Sequence, residues 1–141
     1  MNAKVILVPT DFSHSAQAAL DYAALLARDL NATLLIAHVH AVPELPGAYD
    51  DVCDPEEEAE RQVLEALQPP EAHGPFERMF LVGHPSDAIL RTAHEKHADI
   101  IVMGAHGQTN SSANVMGAVA SAVLRQATCP VLTIHLPVYP S

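Results

Sequence analysis

The chain reads as a single α/β domain in which a parallel β-sheet is wrapped by helices on both faces. Two patterns lead to that reading. Short, continuously apolar runs occur instead of runs that alternate apolar and polar, as in strands covered on both faces. These runs alternate with segments of helical period along the whole chain, giving five strands and four helices, and such alternation builds parallel sheets with right-handed crossovers. At 141 residues the chain has the size of one domain (1–141) and can bury a core of several Val/Ile/Leu strands.

The first strand is "KVILVP" (Lys4–Pro9), ended by its proline. "SHSAQAALDYAALLARDL" then takes helical period. Ala16, Ala19, Leu20, Ala23, Leu26, Ala27 and Leu30 share one stripe, Gln17, Asp21 and Arg28 lie opposite, and Ser13 is placed to cap. "ATLLIAHV" (Ala32–Val39) is the second strand. After a loop rich in proline and acids, Asp54 as N-cap, Pro55 at the first helical position and Glu57 three residues past the cap signal the second helix. "FERMFLVG" (Phe76–Gly83) is the third strand and "PSDAILRTAHEKH" (Pro85–His97) the third helix. "DIIVMG" (Asp99–Gly104) is the fourth strand, "ANVMGAVASAVLRQA" the fourth helix, and "PVLTIHL" (Pro130–Leu136) the last strand, with proline tolerated at its start.

Ligands of such sheets bind outside the carboxyl ends of the strands, where strand order reverses. Two loops there stand out. "PTDFS" follows the first strand. "GAHGQTNSSANVMGA" (Gly104–Ala118) follows the fourth and spaces glycines as Gly104, two residues, Gly107, nine residues, Gly117. Glycines let backbone close around a ligand, and the loop runs into a helix N-terminus that can receive an anion. No lysine follows as in GxxxxGK[ST], there is no GxGxxG, and no Lys or Arg occurs between Lys96 and Arg125. Gly117, read as lying within a helical pattern, costs about 1 kcal/mol relative to alanine and so calls for a close approach.

Charge narrows the function classes. A net charge of −10, from seven Lys+Arg against seventeen Asp+Glu, argues against a nucleic-acid or anionic-membrane surface. Ten of the acids fall between Glu44 and Glu71 and read as a solvated loop and helix, with Glu44–Glu60 expected to be the most mobile segment. No run reaches a membrane span, and no basic segment leads into an apolar signal core, so a cytoplasmic protein is expected. Cys53 and Cys129 form no CxxC and read as free thiols.

Of the nine histidines, His38 and His40 share a strand face, and His84 and His106 follow the third and fourth strands, so these four could gather at one sheet edge. A metal needs three or four convergent ligands, and the sequence alone argues for none. His14, His73, His94, His97 and His135 read as surface or strand-end residues. No GxSxG elbow, Cys–His pair or paired-carboxylate signature indicates catalysis, and no catalytic residue is assigned.

"VPTDFSHSAQAAL", "AHV", "GHPSDAIL", "HADIIVMGAHG" and "GAVASAVLRQATCPVLTI", in that order over nearly the whole chain, resemble the universal stress protein family. The resemblance implies a five-stranded parallel sheet of order 3-2-1-4-5 with the adenine-nucleotide alpha-hydrolase-like fold, and a dimer formed through the last strand, Pro130–Leu136. It also implies ATP or another adenine nucleotide, with Mg accompanying ATP, bound by a motif G-x2-G-x9-G-[S/T]. Carried over by position, it places Pro9, Thr10 and Asp11 at adenine and ribose, Val39 against the base, and Met103, Gly104 and Gly107 along the phosphate loop. Gly117, Ala118 and Val119 stand at the helix end that closes the motif. This sequence departs at Ala118, where the family has a hydroxyl, and at Gln108, where it commonly has arginine.

The reading is therefore a cytosolic, dimeric stress-response regulatory module that binds an adenine nucleotide in a modified loop and performs no turnover. The alternatives are a family member that acts only through protein contacts and, ranked lower, a slow ATP-hydrolysing or phosphotransfer enzyme. A receiver domain is disfavoured because Gly83, not aspartate, follows the third strand and no lysine follows the fifth. A nucleotidyl transferase is disfavoured because no HIGH-like or SGGxDS-like signature is present.

Overall fold

The computed structural model describes residues 4–42, 54–70, 74–106 and 116–136. Five strands, β1 (Val5–Pro9), β2 (Thr33–Ala41), β3 (Phe76–Gly83), β4 (Ile100–Gly104) and β5 (Val131–Ile134), form one sheet of order β3-β2-β1-β4-β5 with every pairing parallel. Helices α1 (His14–Leu30), α2 (Pro55–Ala66), α3 (Pro85–Glu95) and α4 (Ala118–Gln126) alternate with them. The α/β fold and strand order expected from the sequence are those observed.

Successive strand residues supply opposite faces, which is why the strands are apolar throughout. On β1, Ile6 and Val8 join Ala19, Leu20 and Ala23 of α1 and Leu64 of α2 in one core layer. Leu7 points the other way, into a second layer with Ile89 of α3 and Ala120 and Val123 of α4. Helices therefore cover both faces, α1 and α2 on one and α3 and α4 on the other.

Local signals set most boundaries. Ser13 caps α1 by accepting from the Ala16 N–H, and the helix closes on Asn31 in the left-handed conformation (φ 55°), which asparagine tolerates. The Asp54 side chain caps α2 by accepting from the Glu56 N–H, with Pro55 at the first position. α3 stops two residues short of the expected His97, which turns left-handed (φ 54°). Asp99 precedes β4 and does not belong to it. Its carboxylate accepts from the main-chain N–H of Lys4 (2.8 Å) and Val5 (3.0 Å), fastening the start of β1. These two bonds hold the Asp99 carboxyl below its ordinary pKa.

Three further expectations need correction. The last strand does not span Pro130–Leu136 but only Val131–Ile134, because its pairing with β4 runs from Val131 against Ile101 to Ile134 against Gly104. β2 does not end at Val39 but continues through His40 to Ala41, because β3 keeps pairing with it as far as Ala41 against Gly83. Nor does the last helix contain Gly117. α4 begins at Ala118, and Gly117 is its N-cap with φ −63° and ψ 156°, an extended conformation open to any residue. The helical-interior cost assigned to Gly117 therefore does not arise. Of the segment expected to be mobile, 43–53 lies outside the described residues, while Pro55–Glu60 forms the first turns of α2.

Candidate functional site

At the carboxyl end of the sheet, β1 departs towards β2 and β4 departs towards β5, which is the reversal of strand order. After β1 the chain makes a tight turn. Thr10 keeps its N–H on Ala37 O (2.8 Å), and its hydroxyl accepts from the Phe12 N–H (3.0 Å). Asp11 accepts from the Ser13 N–H (3.0 Å), an Asx-type turn that leads directly into α1. Between them Phe12 sits at φ 66°, a strained value for a bulky residue.

Across the reversal, β4 ends at Gly104 and the Ala105 carbonyl accepts from the Gly117 N–H (2.7 Å), bringing the start of α4 to the end of β4. Gly117, as N-cap, has no side chain to offer the first-turn N–H groups of α4, which like those of any helix have no intrahelical acceptor. Such a terminus attracts anions.

The structure thus brings Pro9, Thr10, Asp11, Gly104, Gly117 and Ala118 to this end of the sheet. Pro9 and Thr10 are buried, Asp11 is half-buried and Ala118 exposed. Val39, Met103 and Val119 contribute to the core layer beneath α3 and α4. Gly107 and Gln108 lie outside the described residues.

Gly104 has a packing reason of its own. A Cβ there would collide with the Ser15 hydroxyl and lie 2.8 and 2.9 Å from the Ser15 carbonyl carbon and oxygen. Ser15, a hydroxyl that the sequence places near the site and that reads equally well as a helix-start residue, lies on α1 with its hydroxyl 3.3 Å from Ile134 O and 3.5 Å from the His106 main-chain nitrogen. It thereby ties α1 to β5 and to the segment after β4.

The four histidines proposed to gather do not meet. His84 is exposed at the start of α3, with Ser86 Oγ 3.3 Å from its Nδ1. His106 is buried beside His135. His38 and His40 are buried on the α1/α2 side of the sheet, 6% and 5% exposed, and two α2 carboxylates meet them. His38 Nδ1–H donates to Thr10 O (2.8 Å), while Nε2 lies 2.5 Å from Glu60 Oε1. His40 Nδ1 lies 2.7 Å from Glu60 Oε2, and its Nε2 3.1 Å from Asp54 Oδ2. The Phe12 ring stacks on His38 at 4.3 Å.

Glu60 and Asp54 were read as part of a solvated acidic face. Their side chains are instead 26% and 32% exposed and engaged by imidazoles. Burial alone would lower the His40 pKa, but hydrogen bonding and attraction from Glu60, and then Asp54, raise it above the ordinary histidine value. Burial pushes the Glu60 pKa up, and the two histidines outweigh it and bring it down. Among the described residues, no group of three or more His, Cys, Asp or Glu side chains is arranged to hold a metal. Cys129 is free and half-buried, and burial raises its pKa. Cys53 is outside the described residues.

A 3-2-1-4-5 parallel sheet with an acidic turn after β1 and a helix N-terminus brought to the end of β4 defines a doubly wound α/β protein with its switch point at that end of the sheet. The family model for the universal stress protein family matches residues 2–135, and the chain belongs to that family. Universal stress protein MJ0531 of Methanocaldococcus jannaschii is 30% identical over 141 residues, covering 95% of this chain and 83% of its own. A universal stress protein solved in complex with cAMP superposes with a TM-score of 0.70 at 27% identity, over 94% of this chain and 97% of its own. The universal stress protein from Archaeoglobus fulgidus in complex with dAMP superposes with a TM-score of 0.68 at 27% identity, over 95% and 99%.

Proposed function

We propose that this protein is a cytoplasmic stress-response module that binds an adenine nucleotide at the switch-point crevice, acts as a homodimer and performs no turnover. The observation that carries the reading is the pairing of an acidic turn with a glycine-capped helix N-terminus at one end of the sheet, in a fold whose relatives include proteins solved with cAMP and dAMP. Asp11 accepts from ribose hydroxyls, with Pro9, Thr10 and Val39 about the adenosine. Gly107, Gly117, Ala118 and Val119, with Met103 and Gly104 beneath, surround the phosphates, and Mg accompanies ATP.

Ala118 and Gln108 weaken the phosphate end. A hydrogen bond to a charged oxygen contributes about 1.5–3 kcal/mol, and positions 118 and 108 lack the hydroxyl and the cation that the family resemblance implies there, with Thr109, Asn110, Ser111 and Ser112 as the substitute donors in the loop. Ala118→Ser combined with Gln108→Arg should tighten ATP binding at least about tenfold, measured by calorimetry. If neither the wild type nor this folded variant binds, the crevice is not a nucleotide site. The second reading, a member acting through protein contacts alone, would then hold, and the packing role of Gly104 favours it because Ser15 already accounts for that glycine.

The dimer is assigned to β5, which lies at the sheet edge with Leu132 exposed. Pro130 O and Ile134 O accept from β4, so in a regular parallel ladder the main-chain groups of the alternate residues, Val131 and Thr133, face outward. Such an open edge invites pairing. Thr133→Pro removes an outward donor while sparing the β4 ladder, and should lower dimer stability without unfolding the chain. Light scattering at micromolar concentration tests this, and a monomeric wild type would overturn it.

A further inference from the structure

The four ring nitrogens of His38 and His40 all face oxygens that accept: Thr10 O, both oxygens of Glu60, and Asp54 Oδ2. A neutral imidazole carries one N–H, so two neutral rings facing two carboxylates satisfy only two of these four contacts. All four are made when both rings carry two protons, and the two imidazolium charges then balance the two carboxylates. Burial makes that balance matter, because an unpaired buried charge or donor is costly.

Among the described residues, the neighbouring charged groups have partners of their own. On α2, Arg61 lies over the Phe80 ring at 4.1 Å and pairs with Glu57 at 3.6 Å. On β3, Phe80 is the aromatic neighbour of His38, and Arg78 turns away to Leu67 O. From the β1–α1 turn come the Thr10 carbonyl and the Phe12 ring, while the Asp11 carboxylate turns to the Ser13 N–H.

We propose that His40, doubly protonated between Glu60 and Asp54, and His38, which links Glu60 to the Thr10 carbonyl, form a proton-loaded latch. It holds α2 against β2 and positions the Thr10 carbonyl and Phe12, so that nucleotide affinity at the crevice falls as the latch loses its protons. His38 is thus a positioning residue that acts through the turn carrying Asp11. The coupling rests on the adenine-nucleotide reading above. The direction follows from the signs of the shifts. A raised His40 pKa contributes stability that is complete below the ordinary histidine value and is lost as pH rises through the folded one. A lowered Glu60 pKa contributes stability present above the ordinary carboxyl value and lost as pH falls through the folded one. The latch is therefore strongest between those two ordinary values and opens on the alkaline side.

Two measurements on the full chain test this. Long-range proton–nitrogen NMR of the histidine rings should find both nitrogens of His40 protonated at pH 6 and one of them losing its proton towards pH 8.5, with the Thr10–Ser13 amides shifting in step. A His40 ring nitrogen unprotonated at pH 6, or amides that do not follow that ring, would overturn the latch. Calorimetry with cAMP, whose phosphodiester keeps one charge across this range, should show affinity falling about fivefold or more between pH 6 and 8.5, a modest coupling. Glu60→Gln should flatten that profile at the weaker level, and His40→Gln should do the same should the first variant fold poorly. A profile equally steep in either folded variant overturns the coupling. Absence of cAMP binding at every pH overturns the nucleotide reading and the coupling with it, while the ring titration still decides the latch.

Discussion

Gly104→Ala should lower the thermal midpoint by roughly 2–12 °C. The added methyl meets three atoms of Ser15, two of them main-chain atoms of α1. Rotating the Ser15 hydroxyl relieves only one contact, and the other two require α1 to shift. That helix carries Ala19, Leu20 and Ala23 into the core against Ile6 and Val8. Overpacking of this kind costs about 1–3 kcal/mol, and for a domain of this size each kcal/mol moves the midpoint by about 2–4 °C. Ser15→Ala in the same chain should restore little, because the main-chain contacts persist. Full restoration by Ser15→Ala, or a midpoint unchanged by Gly104→Ala, would show that α1 is not held as described. Gly117→Ala should cost only about 1 kcal/mol, because its extended backbone accepts a side chain and its role is that of a cap.

Asp11→Ala should weaken adenine-nucleotide binding by roughly ten- to a hundredfold, with a small effect on stability. A hydrogen bond to an ionised carboxylate is worth about 1.5–3 kcal/mol, and Asp11 is the acid that the proposed site sets against the ribose. Asp11→Asn separates turn geometry from charge. Its side-chain oxygen still accepts from the Ser13 N–H, so any loss it shows reports the charge. Calorimetry with cAMP and with ATP reads both variants. Undiminished affinity in Asp11→Ala would place the nucleotide elsewhere and remove the main support for the proposed site.

Both predictions concern positions that the sequence marked, but for partly different reasons. The glycine spacing after β4 drew attention as a phosphate cradle, and at Gly104 the structure finds a helix crossing too close for a side chain. Asp11 stood out as an acid at a strand end, and the structure adds the Asx-type turn that aims it into α1. The histidine pair on β2 was also visible, being two residues apart on one face. Its partners were not. Glu60 lies 22 residues from His38, and Asp54 lies 14 from His40, within a segment whose composition reads as solvated acid.

The sequence by itself determined the alternation of strands and helices, the helix starts at Ser13, Asp54–Pro55 and Pro85, and, through its family resemblance, the strand order. Those features depend on apolar period and on caps that act within a few residues, so they are written locally. Only the tertiary structure decided that α2 would lay two carboxylates on His38 and His40, that Ser15 would crowd Gly104, and that Gly117 would stand outside its helix. These depend on which helix packs over which strand end, across separations as long as the 91 residues between Ser15 and His106, and no local pattern encodes the distance between two surfaces.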